Sequence, residues 1–188
     1  MTVQGFPYSF YVAEIPDIEG ATRRRREDAA VAQLVVEAFG AGAVRRNNAL
    51  GAPLIEKDGK VLDTALSLSH CRTHALLALA PAGVELGVDI EEDRPQLQRV
   101  LPRVLSAREL EVYASTPLGR LKAWTMKEAL YKAARCAVGK ELDFIGNIHL
   151  PLEPGALARV SAGPEEWLYK VAFTTVGTAL AAFVWRLA

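Results

Sequence analysis

Midway along the chain, strand-like runs over residues 65–68 and 75–80 and the run Val84–Glu91 follow one another. Only His70, Cys71, Arg72 and Thr73 and then Pro81, Ala82 and Gly83 stand around the breaks. Breaks that short leave no room for a crossover, so neighbouring runs must turn back on one another as antiparallel strands. A further strand-like run over residues 8–15 alternates aromatic and β-branched residues with smaller ones, and Pro16 interrupts it. Between these lies one helical pattern over residues 22–39, where Val31, Leu34, Val35, Ala38 and Phe39 recur at helical spacing. Thr22 is its expected N-cap and Gly40 its stop. Residues 40–53 read as a Gly/Asn-rich loop. Asp58-Gly59, between short extended pieces at 54–57 and 60–62, signals a hairpin.

Beyond Pro95 the pattern turns helical. Ser106 with Glu109 three residues on is a capping box opening a short helix through Tyr113. Pro117-Leu118-Gly119 reads as a break. A longer helix is expected over 120–138, with Leu121, Trp124, Ala129, Leu130 and Ala133 on its apolar positions and Gly139 as its stop. Residues 144–150, 167–175 and 178–186 read as strands, the last two turning near Gly177. Helix followed by antiparallel strands therefore occurs twice. The expected class is α+β, divided into a lobe over residues 1–85 and a lobe over 86–188, each a small antiparallel sheet packed on a long helix. No internal sequence repeat accompanies this order.

The 188 residues suffice for one good core or two small lobes, and 51% hydrophobic with 23% charged residues describes a soluble globular chain. A formal net charge of zero sets up no global field for nucleic acid or an anionic membrane. Charge is uneven locally: Arg23, Arg24, Arg25 and Arg26 form a run in the first turns of the first helix, where they oppose its dipole, and Arg45 and Arg46 form a pair. Cys71 and Cys136 make neither a disulfide framework nor a zinc signature, and fit small buried hydrophobes in a reducing compartment. No secretory signal opens the chain, and the apolar stretches fall short of the roughly 20 residues of a spanning helix. A cytoplasmic protein is expected.

Three segments carry chemistry. In Gly87-Val88-Asp89-Ile90-Glu91, the two acids are two apart on a strand and share a face, with Val88 and Ile90 turned to the core. Paired carboxylates raise one another's pKa unless a cation neutralises them, and a hard divalent ion such as magnesium suits few carboxylates plus phosphate oxygens. Gly87 would let a ligand approach the backbone, and a solvated acidic strand end is the plainer alternative. In Trp124-Thr125-Met126-Lys127-Glu128-Ala129-Leu130-Tyr131-Lys132, Glu128 and Lys132 are four apart on one helix face. They are either a surface ion pair or a third carboxylate beside a phosphate-holding lysine; Lys127 points elsewhere. In Ser67-Leu68-Ser69-His70, a hydroxyl and an imidazole end a strand where both could bond phosphate oxygens. His74 and His149 have no motif around them.

The order Ser-x-Ser-His, Gly-x-Asp-x-Glu, Trp-Thr-x-Lys-Glu-x-x-x-Lys resembles that of the 4′-phosphopantetheinyl transferases over residues 51–139. The Ser-His segment and the length bring it nearer the longer, surfactin-synthetase-activating type. The resemblance implies two similar lobes related by pseudo-two-fold symmetry in a monomer, with coenzyme A bound between them. It implies magnesium-dependent transfer of phosphopantetheine from coenzyme A to a serine of an apo acyl or peptidyl carrier protein, releasing adenosine 3′,5′-bisphosphate. By motif position it assigns Asp89, Glu91 and Glu128 to the metal, Glu128 and Lys132 to catalysis, and Ser69, His70 and Lys132 to coenzyme A. The base would be Glu128 or a water.

Two departures stand out. Where longer members read Gly-Lys-Pro, this chain reads Gly51-Ala52-Pro53, so a nucleotide phosphate must find other partners; Arg45, Arg46 or a member of the run at 23–26 is expected to substitute. The chain is also short for that type. Arg99, Arg103, Arg108 and Arg120, with Leu105 or Leu118, are candidate contacts for an acidic carrier. Two other readings remain: a non-catalytic module binding coenzyme A or a carrier, and a different magnesium-dependent phosphotransferase or nucleotide hydrolase. No Walker loop stands in the sequence to support the latter.

Overall fold

The computed structural model describes residues 3–139 and 142–187. Among them run β1 (Ser9–Glu14), α1 (Arg23–Phe39), β2 (Val44–Asn47), β3 (Pro53–Lys57), β4 (Lys60–Val61), β5 (Thr64–His70), β6 (His74–Pro81) and β7 (Val84–Glu91). Then come α2 (Leu97–Val104), α3 (Ala107–Tyr113), α4 (Pro117–Val138), β8 (Ile148–His149), β9 (Ala158–Ala162), β10 (Glu165–Val176) and β11 (Ala179–Leu187). Three sheets form, in the orders β1-β6-β5, β2-β3-β4 and β7-β11-β10-β9-β8, and every pairing is antiparallel. In both larger sheets the strand that precedes the long helix lies beside the last strand of the hairpin that follows it.

Side-chain alternation stacks these elements. On β6, Ala75 and Leu77 pack with Leu34 of α1, while Leu76 and Ala78 face the opposite way. There they meet Val88 and Ile90 of β7 and Phe183 of β11, with Phe6 packed at a tilt on Phe183 at a ring separation of 4.6 Å. On β11, Leu180, Ala182 and Val184 turn back to α4, joining Met126, Leu130 and Tyr169. Both β6 and β11 thus have two covered faces, which is why their sequences are nearly continuous in apolar residues.

The local signals act as their chemistry requires. Thr22 Oγ1 accepts from Arg25 N, and Gly40 ends α1 at φ +85°. Asp58 and Gly59 both take positive φ, as a two-residue hairpin of primed type demands. The capping box forms between Ser106 and Glu109, and Glu109 Oε1 also accepts from Leu150 N at 2.6 Å, so one buried carboxylate ties α3 to the strand region beyond it. Buried Lys127 donates to Val104 O (2.5 Å) and Phe144 O (3.4 Å), bracing α2 against α4; burial lowers its pKa below the ordinary lysine value. Cys71 is buried, and the Cys136 side chain lies outside what is described.

Several expectations need correction. Residues 44–47 form a strand, not loop: their side chains are all exposed, so pairing with β3 and not apolar alternation makes them extended. Pro117-Leu118-Gly119 begins α4 instead of breaking the chain, because Pro117 stands at the start, where its missing N–H costs nothing, and Thr116 caps Gly119 N. The expected strand at 144–150 shrinks to β8, since Asp143 carboxylate oxygens accept from Ile145 N and Gly146 N and curl the chain into a turn. Helix α2 and strand β9 were not anticipated. No helix among the described residues is long and apolar enough to cross a membrane.

Candidate active site

Strand β7 sits at the edge of its sheet, so alternate backbone groups on its outer side have no strand partner. Side chains take that place. Val88 N donates to Ser67 Oγ at 3.0 Å and Ile90 N to Ser69 Oγ at 3.4 Å, two serines two apart on β5 matched to two amides two apart on β7. Lys132 reaches in from α4 and donates to Val88 O (3.0 Å), Ser69 Oγ (3.0 Å) and Asp89 Oδ1 (2.8 Å). An ammonium has three N–H donors, so all three are used within the protein. Ser69 Oγ in turn donates to Asp89 Oδ1 at 2.7 Å.

The α4 backbone lies directly over β7 here. A Cβ on Gly87 would stand 1.9 Å from the carbonyl oxygen of Ala129 and 2.7 Å from Ala133 N. Gly87 therefore admits a helix and not a ligand, which corrects the expectation from sequence. That close approach lets Glu128 and Lys132 face the carboxylates of β7.

Asp89 is 5% exposed, and its Oδ2 is buried with no hydrogen-bond partner. Glu91 Oε1 accepts from Trp124 Nε1 (3.3 Å) and Arg94 (3.1 Å), yet burial, then the neighbouring Asp89, raises its pKa above the ordinary carboxylate value. Glu128 is displaced further, to about 7, by burial first, then by Asp89, with Glu91 adding and Lys132 opposing. The three carboxylates thus share one field. Among the described residues they do not converge into a closed three-ligand cage; Lys132 holds Asp89 and Arg94 holds Glu91. A cation still fits the donor set: hard oxygen ligands, mutual repulsion, and one buried carboxylate oxygen lacking any partner.

Beside this group, between the β2–β3 hairpin, β5, the start of β7 and α4, opens a cleft of about 450 Å³. Arg45, Lys132 and Arg135 line it. Arg135 was not anticipated, although 128, 132 and 135 share one helix face, and that spacing was the available signal. Arg46 is not among the lining residues and pairs with Glu56 at 3.6 Å, as the strand's alternation requires. His70 is exposed, lies outside the lining, and has Nδ1 3.6 Å from Glu27 Oε1. Of the arginine run, Arg23 pairs with Glu27 (2.6 Å) and Arg26 with Asp17 (3.1 Å), which answers their conflict with the helix dipole locally. Farther off, Arg99, Arg103 and Arg108 are exposed and so is Leu118, but Leu105 is buried. Arg120 donates to Ala114 O, bracing the end of α3.

The sequence profile of the 4′-phosphopantetheinyl transferase superfamily matches residues 85–181, from the start of β7 to within β11, just over half of the chain. The chain belongs to that superfamily. The matched span of this phosphopantetheinyl transferase superfamily member contains Asp89, Glu91, Glu128, Lys132 and Arg135, while Ser67, Ser69 and Arg45 lie before it. No curated protein matches the chain significantly.

Proposed function

We propose that this superfamily member moves 4′-phosphopantetheine from coenzyme A to a serine hydroxyl of an apo acyl or peptidyl carrier protein, releasing adenosine 3′,5′-bisphosphate, in the manner of the longer, surfactin-synthetase-activating type. One observation carries the reading: a buried, unpartnered carboxylate oxygen on Asp89, with Glu91 and Glu128 beside it, next to a cleft lined by three cationic side chains.

Asp89, Glu91 and Glu128 would hold magnesium. Bound there, it would neutralise the carboxylates and stabilise charge developing on the pyrophosphate. Lys132 would meet a substrate phosphate oxygen only by turning an N–H away from Asp89, since Asp89, Ser69 and Val88 engage its three donors. Glu128 takes the proton of the carrier serine, directly or through a water. Ser69 holds Asp89 and Lys132 in register. Arg45 meets substrate in the cleft; Arg46 and His70 would reach it only by leaving Glu56 and Glu27.

The repeated strand order favours two pseudo-symmetric lobes, residues 1–85 and 86–188; a cytoplasmic monomer is part of the proposal by resemblance to the longer transferases alone. An acidic carrier would approach along Arg99, Arg103 and Arg108 with Leu118 as an apolar contact. The direct experiment mixes the protein with coenzyme A, magnesium and a panel of apo carriers, then weighs the carriers. A mass gain of one phosphopantetheine on the acceptor serine is expected. No gain on any carrier, with no bisphosphate released, would sink the reading.

A further inference from the structure

Arg45 and Arg135 come from opposite ends of the chain's architecture, a β2 edge and the last turn of α4, and line the same cleft. Neither has a carboxylate within 4.0 Å among the described residues, whereas the neighbouring Arg46 pairs with Glu56 and is not in the lining. Lys132, the third cation of the cleft, is committed to Asp89, Ser69 and Val88. The acidic lining residue, Glu85, is held by Arg186 at 2.6 and 2.9 Å and by Tyr169. Two arginines with no acidic partner among the described residues therefore line a cleft whose one carboxylate is already neutralised.

Hydrogen bonds to one side chain shape the loop beside them. Asn48 Oδ1 accepts from Leu50 N and Ala52 N, both at 2.9 Å, and Gly51 sits at φ +77°. A Cβ at Gly51 would lie 3.4 Å from one terminal nitrogen of Arg135, so the glycine lets the guanidinium lie along the loop. Ala52, in that loop, offers no charge. The C-terminal end of α4 would by itself repel an anion, and Arg135 reverses that sign.

We propose that Arg45 and Arg135 form a two-armed subsite for the terminal phosphomonoester of the nucleotide substrate, doing in this chain what no side chain at position 52 can. Planar guanidinium forks match a dianionic phosphate bidentately, and two of them suit a monoester better than a diester. The assignment rests on the transferase reading and adds the residues that select the phosphorylated nucleotide.

The test measures dissociation constants for adenosine 3′,5′-bisphosphate and adenosine 5′-monophosphate, in the wild-type chain and in Arg135→Ala, Arg135→Lys and Arg45→Ala, with thermal melts to confirm folding. The wild type should prefer the bisphosphate. Each alanine variant should weaken bisphosphate binding about 10- to 100-fold and leave monophosphate binding nearly unchanged, closing the gap; Arg135→Lys should keep part of it. Equal loss for both nucleotides would make Arg135 a loop support and overturn the subsite, as would no loss at all. If the wild type transfers phosphopantetheine while the variants still prefer the bisphosphate as strongly as the wild type does, only this inference falls. If it neither binds the bisphosphate nor transfers, the transferase reading falls with it.

Discussion

Asp89 has one carboxylate oxygen bonded to both Ser69 and Lys132, and one that is buried and bonded to nothing. Leaving such an atom unmatched costs free energy, so a cation is the expected partner of the second oxygen. Asp89→Asn should remove measurable magnesium binding by titration calorimetry and slow transfer by at least about 100-fold; unaltered calorimetric binding would exclude Asp89 as a ligand. Glu128 makes a second prediction, through pH. Its pKa in the folded chain is raised from 4.5 to about 7, so between those values the folded state holds more protons than the unfolded state. Stability from this group is therefore full below about pH 4.5 and lost as pH rises toward 7. In metal-free protein the melting temperature should fall over that window, and Glu128→Gln should flatten the decline. A variant with the same slope as the wild type would show that Glu128 is not the group responsible.

At the scale of elements, the closeness of α4 to β7 decides what the site can be. Gly87, Ala129 and Ala133 are small because the helix backbone rests on the strand. Gly87→Ala puts a methyl group 1.9 Å from a carbonyl oxygen that belongs to the helix backbone and cannot rotate aside. We expect a loss of roughly 3 kcal/mol or more in urea denaturation, beyond the usual cost of overpacking a core. Transfer activity should fall as well, because Glu128 and Lys132 ride on the displaced helix. A midpoint unchanged by Gly87→Ala would mean that α4 packs elsewhere.

Across the whole molecule, the two larger sheets meet through side chains as well as apolar contacts. Ser67 and Ser69 supply to β7 the acceptors that a neighbouring strand would otherwise give. The cleft opens beside this junction, with Leu66, Ser67 and Leu86 in its lining. Ser67→Ala leaves Val88 N without its acceptor and should cost about 1–3 kcal/mol of stability while raising the KM for coenzyme A. A stability loss with an unaltered KM would separate the junction from substrate binding.

The sequence by itself determined the elements whose signals are local. Thr22, the Ser106–Glu109 box and Asp58-Gly59 mark their termini through bonds spanning a few residues. A two-residue period was enough to put Asp89 and Glu91 on one face and Val88 and Ile90 on the other. Strand β2 escaped notice because its side chains are exposed and only a partner makes it a strand. Tertiary structure alone decided that Gly87 receives a helix, that Lys132 spends its donors on β5 and β7, and that Arg135 joins Arg45 in one cleft. The reason is distance along the chain: Lys132 and Ser69 are 63 residues apart, and no periodicity encodes a contact of that separation. The acidic residues were legible because a repeat places them. Their partners became visible only when the fold brought them together.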